Sequence, residues 1–187
     1  MKFMHYKINL SDPSSRRALV DIQDFHRNVQ RLFGTSRAES QVLYRIHGSD
    51  LYISANKEPV EEISGLSLIN TKDIKMYKSS DIHRFNILTQ PYKKQGSKRI
   101  PLTEEFERLD WLNSQAQKHG FSILTVRENG FETFNSSIKS KENNDFSIKA
   151  FCYDGLIKVE DERLFNDAIA SGIGASKAYG LGMLLVI

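Results

Sequence analysis

Ser171-Gly-Ile-Gly-Ala-Ser-Lys-Ala-Tyr-Gly-Leu-Gly-Met-Leu-Leu-Val-Ile187 is the stretch on which the reading of this chain turns. Gly172, Gly174, Gly180 and Gly182 bracket Lys177, and an apolar strand follows. Glycine accepts positive φ and lets other chain segments approach its backbone. Such a loop can turn its N–H groups and its lysine toward an anion. The alternative is a glycine C-cap after a helix and a turn into a last strand. A dinucleotide-binding fingerprint is excluded, because it needs a strand before the glycines and a helix and further strand after them.

Working outward, the composition limits the classes open to the chain. Its 187 residues fit one domain or two small ones. A 40% hydrophobic content is enough to build cores, which argues against wholesale disorder. The net charge of +3 tilts mildly toward anionic partners. The lone cysteine, Cys152, rules out an internal disulfide and a cysteine metal cluster, and its apolar neighbours suggest a buried strand. The five histidines lack paired zinc spacing, and no nucleophile-elbow or Walker sequence is present. Met1–Leu10 lacks the apolar core of a signal peptide, and no run reaches membrane-helix length. The expectation is a soluble, cytoplasmic protein with no metal and no cofactor.

Alternation over Lys2–Leu10 predicts a strand with Met4, Tyr6, Ile8 and Leu10 on one face. Asp12-Pro13-Ser14-Ser15 supplies helix-start chemistry, and Leu19, Ile22, Phe25, Val29 and Leu32 recur at helical spacing over 16–33. Arg16, Arg17, Arg27 and Arg31 fall on the opposite face. Strands are expected at 41–46 and 51–54, a short helix over 57–68, and a strand at 73–78. After the linker Ser79-Ser80-Asp81 the order repeats. A strand at 84–90 leads to a basic loop at 91–101 and a helix capped by Thr103, with Phe106, Leu109, Leu112 and Ala116 as its buried stripe. Glu128-Asn129-Gly130 carries a hairpin signal between strands at 121–127 and from Phe131. A polar loop at 136–145, a strand at 146–159, a helix at 161–171 and a strand at 183–187 complete the chain. Two successive βαββαβ units predict an α+β fold of tandem ferredoxin-like domains, one over 1–79 and the other over 82–187.

Two constellations can carry chemistry. His26 stands at the edge of the first helix's apolar stripe, followed by Arg27, Arg31 and Arg37. An imidazole titrates near neutrality, with an ordinary pKa of roughly 6.5. It can therefore take a proton from a ribose 2′-hydroxyl or give one to a leaving oxygen. A histidine so placed is also compatible with a surface or packing role. Lys93, Lys94, Lys98 and Arg99 cluster in the 91–101 loop, which suits a phosphate backbone or serves as a solvated charged loop. Lys139 and Lys141 make a lesser patch, diluted by Glu142 and Asp145.

The tail Gly172–Leu185 is very similar to the C-terminal signature of the CasE-type CRISPR RNA-processing endoribonucleases, the repeat-cleaving subunits of E-subtype Cascade complexes. Phe25-His26-Arg27, Arg84–Pro91 with the basic loop behind it, and Pro101-Leu102 ahead of Asp110-Trp111-Leu112 match in order, so the resemblance covers almost the whole chain. It implies a metal-independent endoribonuclease that cuts a CRISPR repeat hairpin in precursor crRNA and leaves a 2′,3′-cyclic phosphate. It further implies that the enzyme stays bound and joins other Cascade subunits, being a monomer outside that complex. His26 falls on the family's catalytic histidine. Three residues earlier the family usually has tyrosine where this chain has Gln23, which can bond a phosphate oxygen but cannot act as a phenolic acid. The implied RNA contacts are Arg27, Arg31, Lys93, Lys94, Lys98, Arg99, Lys139, Lys141, Gly174, Ser176 and Lys177. Two alternatives remain: a crRNA-binding structural subunit that does not cut, and a small-molecule phosphate binder using the tail.

Overall fold

In the computed structural model, residues 1–34, 39, 41–136 and 146–187 are described. The chain divides into two compact units. One comprises Met1–Lys75, Thr133–Ile148 and Ala178–Gly180, and the other Met76–Glu132, Lys149–Lys177 and Leu181–Ile187.

The first unit follows the order β1 (Lys2–Ile8), α1 (Pro13–Val20), α2 (Ile22–Phe33), β2 (Leu43–His47), β3 (Asp50–Ala55) and β4 (Leu66–Asp73). The alternation read in β1 is realised for Met4, Tyr6 and Ile8, which are buried, whereas Leu10 lies past the end of the strand and is exposed. They pack with Phe25, Val29, Leu32 and Phe33 of α2 and with Leu51 and Ile53 of β3 in one apolar cluster. The helix expected over 16–33 is two helices. Asp21 interrupts it in an extended conformation, and its carboxylate accepts from the Gln23 N–H at 2.9 Å. A short side chain that bonds the backbone two residues on starts a helix better than it continues one. The helix expected at 57–68 is absent; 57–65 is irregular, and the strand lies at Leu66–Asp73 in place of the expected 73–78. The sheet order is β2-β3-β1-β4, with antiparallel pairing throughout.

The second unit contains β5 (Ile82–Thr89), β6 (Tyr92–Gln95), β7 (Lys98–Pro101), α3 (Glu105–Lys118), most of β8 (Phe121–Ser136) and β9 (Phe146–Val159), α4 (Glu162–Ser171) and β10 (Leu184–Val186). Its sheet order is β10-β5-β9-β8. Each sheet therefore sets its first strand between its third and fourth and puts the second outermost, the ferredoxin-like arrangement twice over. The tandem α+β fold read from the sequence is the fold observed, although the first unit lacks the helix before its fourth strand.

Four local expectations for this unit are not met. The basic loop is a hairpin, pairing Lys94 with Arg99 and Gln95 with Lys98. Glu128-Asn129-Gly130 makes no hairpin; β8 runs straight through it, with Gly130 at φ 87°. In α3 the buried face is Arg108, Leu112 and Ala116, while Phe106 is 66% exposed. Thr103 does not cap it: Glu104 holds the N-cap position without a side-chain cap bond.

The rotated face of α3 follows from Arg108. Arg108 is 6% exposed, and its guanidinium donates to both Glu128 carboxylate oxygens at 2.6 and 2.9 Å and to the Thr103 carbonyl. It also lies 4.0 Å over the Phe151 ring. The bond to Glu128 pushes the Arg108 pKa further up, so the cation is held charged at every accessible pH. Burying an unpaired charge is expensive, and a bidentate carboxylate removes most of that penalty. Arg108→Ala should therefore cost about 3–5 kcal/mol in urea denaturation by stranding Glu128. Arg108→Met with Glu128→Leu should recover most of that stability. A single substitution costing under about 1 kcal/mol, the range of a surface pair, would overturn the assignment of Arg108 as a core ion pair.

Candidate functional site

α2 presents Gln23, His26, Arg27 and Arg31 from a helix whose other face is held by Ile22, Phe25, Val29 and Leu32. Gln23 and His26 are half-buried and one helical turn apart, so they share a face. Arg27 is exposed and paired with Asp24, and Arg31 lies 3.9 Å from Glu61. Pairs this exposed are weak and leave the cations available to compete for a polyanion.

The His26 ring meets a side chain not read as part of the site. Tyr179 packs edge-on against it, ring centres 6.1 Å apart at 68°. Tyr179 also contacts Phe146 at 5.4 Å. It belongs to a short 3-10 turn, Lys177–Tyr179, and Ala178–Gly180 is the piece of the tail that clusters with the first unit. Two contacts fix this piece. The Tyr44 hydroxyl donates to the Ala178 carbonyl at 2.9 Å. Gly180, at φ 78°, passes so near the Tyr44 ring that a Cβ would sit 2.8 Å from Cε2. Tyr44 in turn packs on Phe25, ring centres 5.6 Å apart. Tyr179 was missed because its significance lies in a contact spanning most of the chain. The aromatic inside a glycine-dense loop was the available signal.

The remaining candidates lie in the second unit. Lys93, Lys94, Lys98 and Arg99 are exposed on β6 and β7. Residues directly opposite on an antiparallel pair share a face. Lys94 and Arg99 therefore project together with Tyr92, over which Arg99 lies at 5.3 Å, while Lys93 and Lys98 project from the other face. Lys93 is 3.5 Å from Glu107. The base of the hairpin rests on α3, where Tyr92 contacts Trp111 at 6.3 Å.

Trp111 also meets the glycine loop. A Cβ on Gly174, at φ 86°, would lie 3.1 Å from the indole and 2.8 Å from the Thr89 hydroxyl. Ser176 donates to the Gln90 side chain at 3.1 Å. Lys177 donates to the Ser171 and Gly172 carbonyls at 3.0 and 2.9 Å, neutralising the C-terminal end of α4. Burial lowers the pKa of half-buried His119, and the nearby ammonium groups of Lys177 and Lys118 lower it further. Lys139, Lys141, Arg37 and the side chain of Arg17 lie outside the described residues. Among the described residues, no helix is long and apolar enough to cross a membrane. No three His, Cys, Asp or Glu side chains come together there as a metal site would require.

The fold and these sites define a tandem ferredoxin-like α+β protein with an imidazole at a helix edge and a cationic hairpin. The whole chain, residues 1–187, matches the sequence profile of the family described as CRISPR associated protein, and it belongs to that family. This agrees with the CasE-type resemblance carried by the tail. A curated relative, the CRISPR-associated endoribonuclease Cse3 of Thermus thermophilus, is 25% identical over 114 residues. That match spans about half of each chain, 55% of this one and 54% of the relative. CRISPR endoribonuclease Cse3 bound to a 19-nucleotide RNA superposes with a TM-score of 0.90 at 21% identity, covering 100% of both chains. A chain of a CRISPR RNA-guided surveillance complex in a pre-nicking state gives 0.76 at 18% identity, covering 100% of this chain and 99% of that one.

Gly180→Ala is expected to lower the urea midpoint more than Gly96→Ala does. Both residues hold positive φ, but a Cβ at Gly96 would meet nothing within 4 Å. The strain of a left-handed alanine, about 1–2 kcal/mol, is common to both, and only Gly180 adds the clash with Tyr44. Equal losses would show that the Tyr44 ring yields freely.

Proposed function

We propose that this protein is a metal-independent endoribonuclease that cleaves CRISPR repeat hairpins in precursor crRNA. The observation that carries this reading is His26, half-buried on α2 with its ring braced by Tyr179 of the tail. Family membership supports it, as does the likeness to Cse3.

The reaction needs little beyond proton transfer and charge stabilisation. The 2′-hydroxyl loses its proton and its oxygen bonds to the adjacent phosphorus. The bond from phosphorus to the 5′-oxygen breaks, and that oxygen gains a proton. The products are a 2′,3′-cyclic phosphate and a 5′-hydroxyl. His26 serves as the proton-transfer group, a role typically worth about a hundred- to ten-thousand-fold. Gln23, on the same helix face, supplies an amide donor to a phosphate oxygen. Donors preset where negative charge develops are usually the largest single contribution.

Binding is assigned to the cations. Arg27 and Arg31 on α2 and Lys93, Lys94, Lys98 and Arg99 on the hairpin contact RNA phosphates, with Lys139 and Lys141 as further contacts. Gly174, Ser176 and Lys177 are assigned as RNA contacts of the tail, the Ser176 hydroxyl and the Lys177 ammonium exchanging their acceptors on Gln90, Ser171 and Gly172 for a phosphate. An A-form stem is recognised through its shape and phosphates. The protein keeps its product and joins the other subunits of a Cascade complex, as a monomer before assembly and in the cytoplasm.

A second reading is a crRNA-binding subunit that does not cut. Gln23 favours it, since an amide cannot replace a phenolic acid. Purified protein incubated with a repeat hairpin in EDTA separates the two. A cyclic-phosphate product supports the nuclease, and tight binding of an intact strand supports the scaffold. Cleavage appearing only with magnesium overturns the proposed mechanism.

Two substitutions test the assigned roles. His26→Ala should reduce the single-turnover rate by at least about a hundredfold while leaving the RNA Kd within about twofold. If binding collapses with it, His26 is structural. Lys98→Ala with Arg99→Ala should weaken binding and lower the slope of log K against log salt by about 2, roughly one for each phosphate no longer neutralised. An unchanged slope removes the hairpin from the RNA surface.

A further inference from the structure

The side chain braced against His26 has a role of its own, and this inference rests on the proposed reading of His26 as the proton-transfer group. We propose that Tyr179 is the positioning residue for His26: its ring, backed by Phe146 and carried on a backbone anchored at Ala178 and Gly180, fixes the imidazole orientation in which proton transfer takes place.

The contacts around Tyr179 form a closed circuit. His26 and Phe25 are neighbours on α2. Phe25 is buried and packs on the Tyr44 ring at 5.6 Å. Tyr44 holds the tail twice, through its hydroxyl on the Ala178 carbonyl at 2.9 Å and through its ring beneath Gly180. Tyr179 lies between those two anchored residues, and its ring returns to His26 at 6.1 Å and 68°. Phe146 backs it at 5.4 Å. The backbone at Tyr179 is thus pinned on both sides, and its ring is pinned by a second aromatic.

Such a ring restricts the imidazole. A half-buried histidine on a helix edge has two side-chain torsions to fix, and helix geometry alone leaves more than one arrangement open. An edge-to-face partner selects one. Proton transfer demands that selection, because catalytic groups must be held to within about 0.5 Å and 10–20° of the productive geometry. The contact belongs to the ring, so phenylalanine should supply it as well as tyrosine does. The tyrosine hydroxyl takes no part in the transfer.

The experiment compares Tyr179→Phe with Tyr179→Leu in the full chain. Both are read by single-turnover cleavage of a repeat hairpin in EDTA, by RNA Kd, and by the His26 ring resonances in 1H–13C NMR spectra. Tyr179→Phe should cleave within about threefold of wild type and keep the His26 shifts. Tyr179→Leu should cut at about one-tenth to one-hundredth the rate, since displacement of a reacting group by about 1 Å can cost a hundredfold. Its Kd should stay within about twofold, its His26 resonances should move, and its pH–rate limb should shift. Unfolding of the leucine variant would appear as collapse of the whole spectrum, and the phenylalanine variant then decides alone, its loss of rate overturning the proposal. Wild-type rate in Tyr179→Leu, or equal losses in the two variants, also overturns it. Failure of the nuclease reading is distinguishable: wild-type protein would not cut, or His26→Ala would cut as wild type, whatever the His26 resonances do in Tyr179→Leu.

Discussion

The close approach of Gly180 to the Tyr44 ring sets much of what surrounds His26. A backbone at φ 78° with no room for a Cβ is a position only glycine fills without strain. That approach puts the Ala178 carbonyl within reach of the Tyr44 hydroxyl and turns Tyr179 toward α2. Tyr44 is 2% exposed, so its hydroxyl needs a partner, and the tail provides one. Glycine here is a packing device: the glycines at 174 and 180 each admit an aromatic ring to the backbone. The same residues that make the loop a candidate anion cradle therefore have a complete structural reason to be present.

The hairpin presents the opposite economy. Lys94 stands directly across from Arg99, and like charges opposed on a ladder repel. Arg99 over Tyr92 recovers part of that cost, and the contact of Tyr92 with Trp111 ties the hairpin base to α3. Elsewhere in the same unit, Arg108 is buried with both carboxylate oxygens of Glu128 on it. One cation is neutralised to hold the core and four others are left facing water. A polyanion would relieve the repulsion, in keeping with the RNA contacts proposed for the hairpin, whereas Arg108 is held in the core.

Much of the fold was legible because its elements announce themselves locally. β1 alternates, α4 begins at an aspartate whose carboxylate accepts from the Leu164 N–H, and β9 occupies the span its apolar pattern marks. Two of the failures come from long-range pairing. Asn129-Gly130 is a turn dipeptide that β8 overrides, because pairing in the sheet outweighs a local preference. Phe106 has the right spacing for a buried stripe, yet the face is claimed by Arg108, whose partner Glu128 lies on another element. The absent helix at 57–68 had weak periodicity and leads straight into a strand. His26 and the cationic stretch could be picked out from residue type and spacing; the contact of Tyr179 with His26 could not.

By itself the sequence determined the tandem α+β plan, the identity of the titratable group at the edge of the first helix, and the family likeness of the tail, since propensity, periodicity and motif order are all written along the chain. Only the tertiary structure decided that Arg108 is buried on Glu128 and that the tail returns a tyrosine to His26. The physical reason is range. Those features depend on which distant residues compete for a neighbour, and that competition is settled by packing after the local elements have formed.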